Sequence, residues 1–67
     1  MITLTINGKK EKMKFPISLL DYLATQEVNL LLIAVGYNGQ VIHRNHWHKV
    51  VLNGDDVVDI VQMVGGG

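Results

Sequence analysis

Residues 52–67 run Leu52-Asn53-Gly54-Asp55-Asp56-Val57-Val58-Asp59-Ile60-Val61-Gln62-Met63-Val64-Gly65-Gly66-Gly67, a turn, an apolar stretch and a run of glycine. Asn53-Gly54 marks a tight turn, because Asn and Gly tolerate the positive φ that such turns require. From Val57 to Val64 apolar side chains fall on both faces of an extended chain, which predicts a strand in the middle of a sheet. Asp59 and Gln62 imply that part of one face stays wet. The glycines cannot enter a core, and glycine loses more backbone entropy on ordering than any other residue, so folding does not account for them. Fully extended, three residues reach roughly 10 Å at about 3.3–3.6 Å each, enough to enter a pocket of another protein. Without Cβ atoms they can thread a narrow channel and leave the Gly67 carboxylate open to close approach.

Upstream, the same turn signal recurs at Asn7-Gly8 and Asn38-Gly39. Ile2, Leu4 and Ile6 alternate with Thr3 and Thr5, and Met13 and Phe15 alternate with Lys12 and Lys14, so two strands form a hairpin with a basic outer face. Pro16 stops the second strand. Ser18 can cap a helix, with Asp21 three residues on and with Ile17 and Tyr22 placed as a hydrophobic staple. Leu19, Leu20 and Leu23 recur at helical spacing, predicting an amphipathic helix from about Ser18 to Gln26. The apolar run Leu30 to Val35, with Gly36 beyond it, reads as an inner strand, and Gln40 to Ile42 as a short returning one. His43 to Lys49 is polar apart from Trp47 and reads as a loop or a single helical turn, after which Val50 to Leu52 leads to the final turn and strand.

The order is thus strand, strand, helix, strand, strand, irregular segment, strand. It predicts an α+β fold of the ubiquitin-like β-grasp kind, a mixed sheet of four to five strands crossed by one main helix. Residues 1–64 would form the β-grasp domain and residues 65–67 a flexible glycine tail. At 67 residues the chain is too short for a second domain, and a chain of this size buries only about 60% of its unfolded surface. Six Lys plus Arg balance six Asp plus Glu, which argues against nucleic acid as a partner. Cys is absent, so there is no disulfide, thiolate metal site or thiol nucleophile, and a cytoplasmic location is expected. No apolar run approaches the roughly 18 residues of a membrane span.

Val35, Asn38-Gly39-Gln40-Val41-Ile42, Arg44, Trp47, Leu52 through Val61 and Val64-Gly65-Gly66-Gly67 together resemble the sulfur carrier proteins of thiamine biosynthesis. That family has an Asn-Gly turn after a strand, an Arg-x-x-Trp segment, a Gly-Asp pair opening the last strand and a terminal Gly-Gly. Two departures are His43, where many relatives have proline, and Asp59, where glutamate is usual. The resemblance implies a carrier that is a cosubstrate rather than an enzyme and binds no cofactor itself. A partner adenylyltransferase resembling ubiquitin-activating enzymes would use ATP to activate Gly67. Sulfur supplied through a cysteine desulfurase would then give a thiocarboxylate at Gly67, and thiazole synthase would receive that sulfur. Gly65 and Gly66 would thread the partner's active site. The alternatives are the small subunit of molybdopterin synthase, another sulfur carrier, or a ubiquitin-like protein modifier.

His43, His46 and His48 do not share one face on either a helix or a strand, and no Cys is present to complete a zinc site, so no metal is expected. Lys9, Lys10, Lys12 and Lys14 read as a solvated hairpin edge or as a patch that steers an acidic partner. Tyr37 and Trp47 are core or lid residues, or join Met63 and Val64 in an apolar docking patch that aims the tail.

Overall fold

The computed structural model describes residues 1–63; the expectations for Val64 and for the glycine tail Gly65-Gly66-Gly67 lie outside the described residues. Strands β1 (Ile2–Ile6) and β2 (Lys9–Met13) pair antiparallel, with Ile2 opposite Met13 and Ile6 opposite Lys9. Asn7 and Gly8 take φ of 52° and 79° between them, the two successive positive values that a two-residue turn needs to match strand twist. Leu4 and Ile6 are buried as their alternation requires. The second strand was expected to continue through Phe15 but stops at Met13. Beyond it the chain bends to place β3 (Ile17–Ser18) against β6 (Val51–Leu52), and Phe15 is left 75% exposed. A two-residue strand has no period to read, so this second small sheet was not foreseen.

Ser18 ends β3 and caps α1 (Leu19–Ala24), its hydroxyl accepting the Asp21 N–H at 3.0 Å. The helix is shorter than expected: Thr25 closes it, its hydroxyl donating to the Tyr22 carbonyl at 2.6 Å. Leu19 and Leu23 point into the core, while Leu20 and Tyr22 are half-buried at its margin.

Leu30 to Val35 is not one strand. Asn29 accepts the Leu31 N–H at 2.9 Å and starts a 3₁₀ turn over Leu30–Leu32, and only then does β4 (Ile33–Tyr37) begin. The side chain of Asn29 competes for the backbone at that point and wins locally. Asn38 and Gly39, at φ 50° and 86°, turn the chain into β5 (Gln40–Ile42). A longer 3₁₀ segment follows at Arg44–Lys49, built around Trp47, which is 1% exposed and donates from Nε1 to the Ile42 carbonyl at 3.0 Å. After β6 the turn at Asn53–Asp56 places its positive φ, 68°, on Asp55 rather than on Asn53 or Gly54. This corrects the expectation of a third two-residue Asn-Gly turn: Asp56 N–H bonds back to the Asn53 carbonyl at 3.3 Å, so the turn is one position further along.

Strand β7 (Val57–Gln62) completes a mixed sheet in the order β2-β1-β7-β4-β5, parallel to β1 and antiparallel to β4. This is the ubiquitin-like β-grasp arrangement, five strands and one helix, with the small β3–β6 sheet beside it. The central position of β7 agrees with expectation, but burial on both its faces does not. Val58 is buried and Ile60 half-buried, whereas Val57, Asp59 and Val61 are exposed. The helix and the 3₁₀ segment cover one face only, and the core of Leu4, Ile6, Leu19, Leu23, Ile33, Val35, Trp47, Leu52 and Val58 lies on that side. The strand ends at Gln62, short of the expected Val64. Among the described residues no helix is long and apolar enough to cross a membrane.

Candidate functional site

The site is the place from which the glycine sequence departs. Strand β7 carries the chain along the middle of the sheet to Met63, whose N–H donates to the Leu32 carbonyl at 2.6 Å. That bond ties the root of the C-terminal segment to the 3₁₀ turn that Asn29 caps. The turn keeps Leu31 and Leu32 exposed, and Met63 is 51% exposed beside them. Between this rim and β5 lies a groove of about 340 Å³ with walls from Leu31, Ala34, Val41 and Met63, and with Trp47 beneath. Its polar margin is His43, Arg44 and Asn45.

The uncovered face of the sheet continues the apolar surface. Ala34 is level with Val61, and Gly36 is level with Asp59 on one side and Val41 on the other. Val41 is 80% exposed. A sheet face carrying Val41, Val61 and two small residues beside Asp59 gives a largely apolar area that another protein can cover closely. Among the described residues no three His, Asp or Glu side chains gather as a metal site would need. The three histidines are exposed along and just before the 3₁₀ segment Arg44–Lys49.

Trp47 floors this groove, while Tyr37 stands apart from it. Trp47 is core, since its indole is enclosed and its N–H is used within the fold. Tyr37 is level with Val58 in the register, so it stands five residues, roughly 16 Å at about 3.3 Å per residue, back along β7 from Met63. Its hydroxyl donates to Asp56 Oδ2 at 2.7 Å. Asp56 also accepts the Asn53 N–H at 2.8 Å and Asn38 Nδ2 at 3.2 Å, while Asn38 Oδ1 accepts the Val57 N–H at 2.7 Å. The cluster clamps two turns together where β7 begins. The hydrogen bond to Asp56, aided by desolvation and by the charge of Asp56, pushes the Tyr37 hydroxyl from 10.0 up to about 12. Burial acts to raise Asp56, but the hydrogen bonds from Tyr37, Asn53 and Asn38 outweigh it and hold the carboxyl below its ordinary value.

Of the residues expected to dock a partner, Met63 therefore stands at the groove, and Val64 with Gly65, Gly66 and Gly67 lies outside the described residues. Leu31, Ala34, Val41 and Val61 were missed. Asn29, a cap residue directly before the leucines, was the available signal for Leu31; the others needed the register.

A family model described as the ThiS family matches residues 4–67. The chain belongs to the ThiS family. This ThiS-family chain is 35% identical over 65 residues to the sulfur carrier protein ThiS of Bacillus subtilis (strain 168), covering 96% of this chain and 98% of that protein. It is 32% identical over 65 residues to the uncharacterized protein ycf40 of Trieres chinensis, covering 97% of this chain and 89% of the relative. A crystal structure of the thiamine biosynthesis protein ThiS from Geobacter metallireducens superposes with a TM-score of 0.85 at 25% identity, covering 98% of this chain and 100% of that one. The β-grasp fold is thus shared with a ThiS protein that keeps only a quarter of its residues in common with this chain.

Proposed function

We propose that this protein is a sulfur carrier of thiamine biosynthesis whose reactive group is the Gly67 carboxylate. The observation that carries the reading is the family match, which runs through Gly65-Gly66-Gly67 rather than stopping at the folded core. The route to the thiocarboxylate follows from carboxylate chemistry. A carboxylate resists nucleophiles because its oxygen is a poor leaving group, so an adenylyltransferase partner transfers AMP from ATP to Gly67 and releases pyrophosphate. The terminal sulfur of a persulfide, charged by a cysteine desulfurase, displaces AMP. Reduction of the remaining S–S bond by a thiol leaves the thiocarboxylate, which thiazole synthase consumes. Catalytic side chains then reside on the partners. The protein acts as a cosubstrate in the cytoplasm, and the groove at Met63 with the valine face beside it is where a partner grips the carrier while Gly65 and Gly66 enter its active site.

Intact-mass spectrometry tests this directly. Incubation with ATP, a cognate adenylyltransferase and a persulfide donor is expected to replace one oxygen by sulfur, and deletion of Gly67 to abolish the change. A mass gain that survives the deletion refutes the assignment of Gly67. Sulfur transfer to thiazole synthase, compared with transfer to the large subunit of molybdopterin synthase, selects the pathway. An acyl bond to lysine in place of the thiocarboxylate would mark a protein modifier.

A further inference from the structure

The opposite end of the sheet carries a second surface. Lys9, Lys10 and Lys12 on β2, with Lys14 just after it, are four of the six Lys and Arg in the chain, and all are exposed. Against them stands Glu11, so this run holds a local charge of +3 (four lysines less one glutamate) in a molecule whose formal net charge is zero. Where β2 ends, residues 11–17 together with Tyr22 and Gln26 enclose a cleft of about 590 Å³. Met13, Phe15, Ile17 and Tyr22 supply its apolar wall; Lys12 and Lys14 stand at its rim, with Glu11, Pro16 and Gln26 completing it. A phenylalanine three-quarters exposed beside this cleft is a costly feature in so small a domain, and aromatic side chains of this kind are the anchors that dominate protein interfaces.

We propose that this cleft is a docking site for an acidic protein segment carrying an apolar anchor residue. The apolar wall takes the anchor, and the lysine rim selects carboxylates on either side of it while repelling a basic segment. The site is independent of the tail. Met13 is level with Ile2, Val58 is level with Ile6, and Gln62 lies four residues further along β7. The cleft and Gln62, the residue before the tail root, are therefore separated by eight strand steps, roughly 26 Å at about 3.3 Å each. A partner seated in the cleft leaves Met63 and the residues after it free to engage an active site, so the carrier can be held at one end while the other reacts.

The test is an NMR titration of the ¹⁵N-labelled full chain with a capped Glu-Asp-Leu-Asp-Glu peptide. Saturable shifts confined to Lys12–Ile17, Tyr22 and Gln26 are expected, weakened at least tenfold by Phe15→Ser and by the double change Lys12→Glu, Lys14→Glu, and unaltered by deleting residues 64–67. Phe15 is exposed, so the Phe15→Ser spectrum should otherwise match the parent and keep the comparison valid. Absence of saturation, equal shifts at Arg44 and Lys49, or binding that survives Phe15→Ser overturns the proposal. A stronger response to oligothymidine, or concentration-dependent shifts at the cleft without peptide, also overturns it, in favour of nucleic acid or a second copy of the chain.

Discussion

Replacing Tyr37 by Phe removes one oxygen and leaves the ring in place, which isolates the clamp between the two turns at the start of β7. Its bond to Asp56 is short, at 2.7 Å, and charge-assisted. Such a bond contributes about 1.5–3 kcal/mol when fully desolvated. The rise of the hydroxyl from 10.0 to about 12 corresponds to an upper bound of about 2.7 kcal/mol at about 1.36 kcal/mol per pH unit. Both figures require discounting, because the cluster is partly exposed and solvent screens it; about 1 kcal/mol is the expected cost of Tyr37→Phe at neutral pH. For a domain of this size that lowers Tm by about 4–8 °C. Urea unfolding followed by Trp47 fluorescence measures it, since Trp47 is buried when folded. Asp56→Ala loses all three donors and is expected to cost about 2–3 kcal/mol, with a Tyr37–Asp56 coupling of about 1 kcal/mol in the double-mutant cycle. The pH dependence is distinctive. Asp56 is held below its unfolded value, so its contribution is present above about pH 4 and is lost as pH falls through the folded value. Tyr37 is raised, so its contribution is present below pH 10.0 and is lost as pH climbs to about 12. The difference between parent and Tyr37→Phe should therefore form a plateau that collapses at both ends. A difference that stays constant from pH 7 to pH 12, or a cost below about 0.3 kcal/mol at pH 7, refutes the clamp.

Trp47→Ala should cost about 3–5 kcal/mol, comparable with the whole stability of roughly 3–10 kcal/mol available to 67 residues, so circular dichroism at 25 °C should show a largely unfolded chain. Asn7→Ala both places Cβ at a φ of 52° and removes the Oδ1 acceptor that holds the Ile60 N–H at 2.7 Å; about 2 kcal/mol is expected, and Asn7→Gly should recover the backbone part alone, as read by thermal melts.

Much of the fold was legible because its signals are local. The Asn-Gly turns at residues 7–8 and 38–39, the Ser18 cap and the alternation of Ile2, Leu4 and Ile6 each act within a few residues, and each is found where it was expected. The errors arose where a local competitor or a distant partner intervened. Asn29 drew Leu30–Leu32 into a 3₁₀ turn, and β3 exists only because β6 lies beside it. Trp47 illustrates the same limit at the level of the site: a lone aromatic in a polar segment reads equally as anchor or core, and only the enclosure provided by α1 and the sheet separates the two.

By itself the sequence determined the order of the helix and the five main-sheet strands along the chain, the helix start, the hairpin turns at residues 7–8 and 38–39 and the glycine run at residues 65–67, since these depend on backbone preferences and short-range hydrogen bonds. Tertiary structure alone decided which face of β7 is covered, because a strand apolar on both sides has no intrinsic inside. The helix can cover only one face of a five-stranded sheet this small. The valines of the other face, together with Met63, are therefore left exposed.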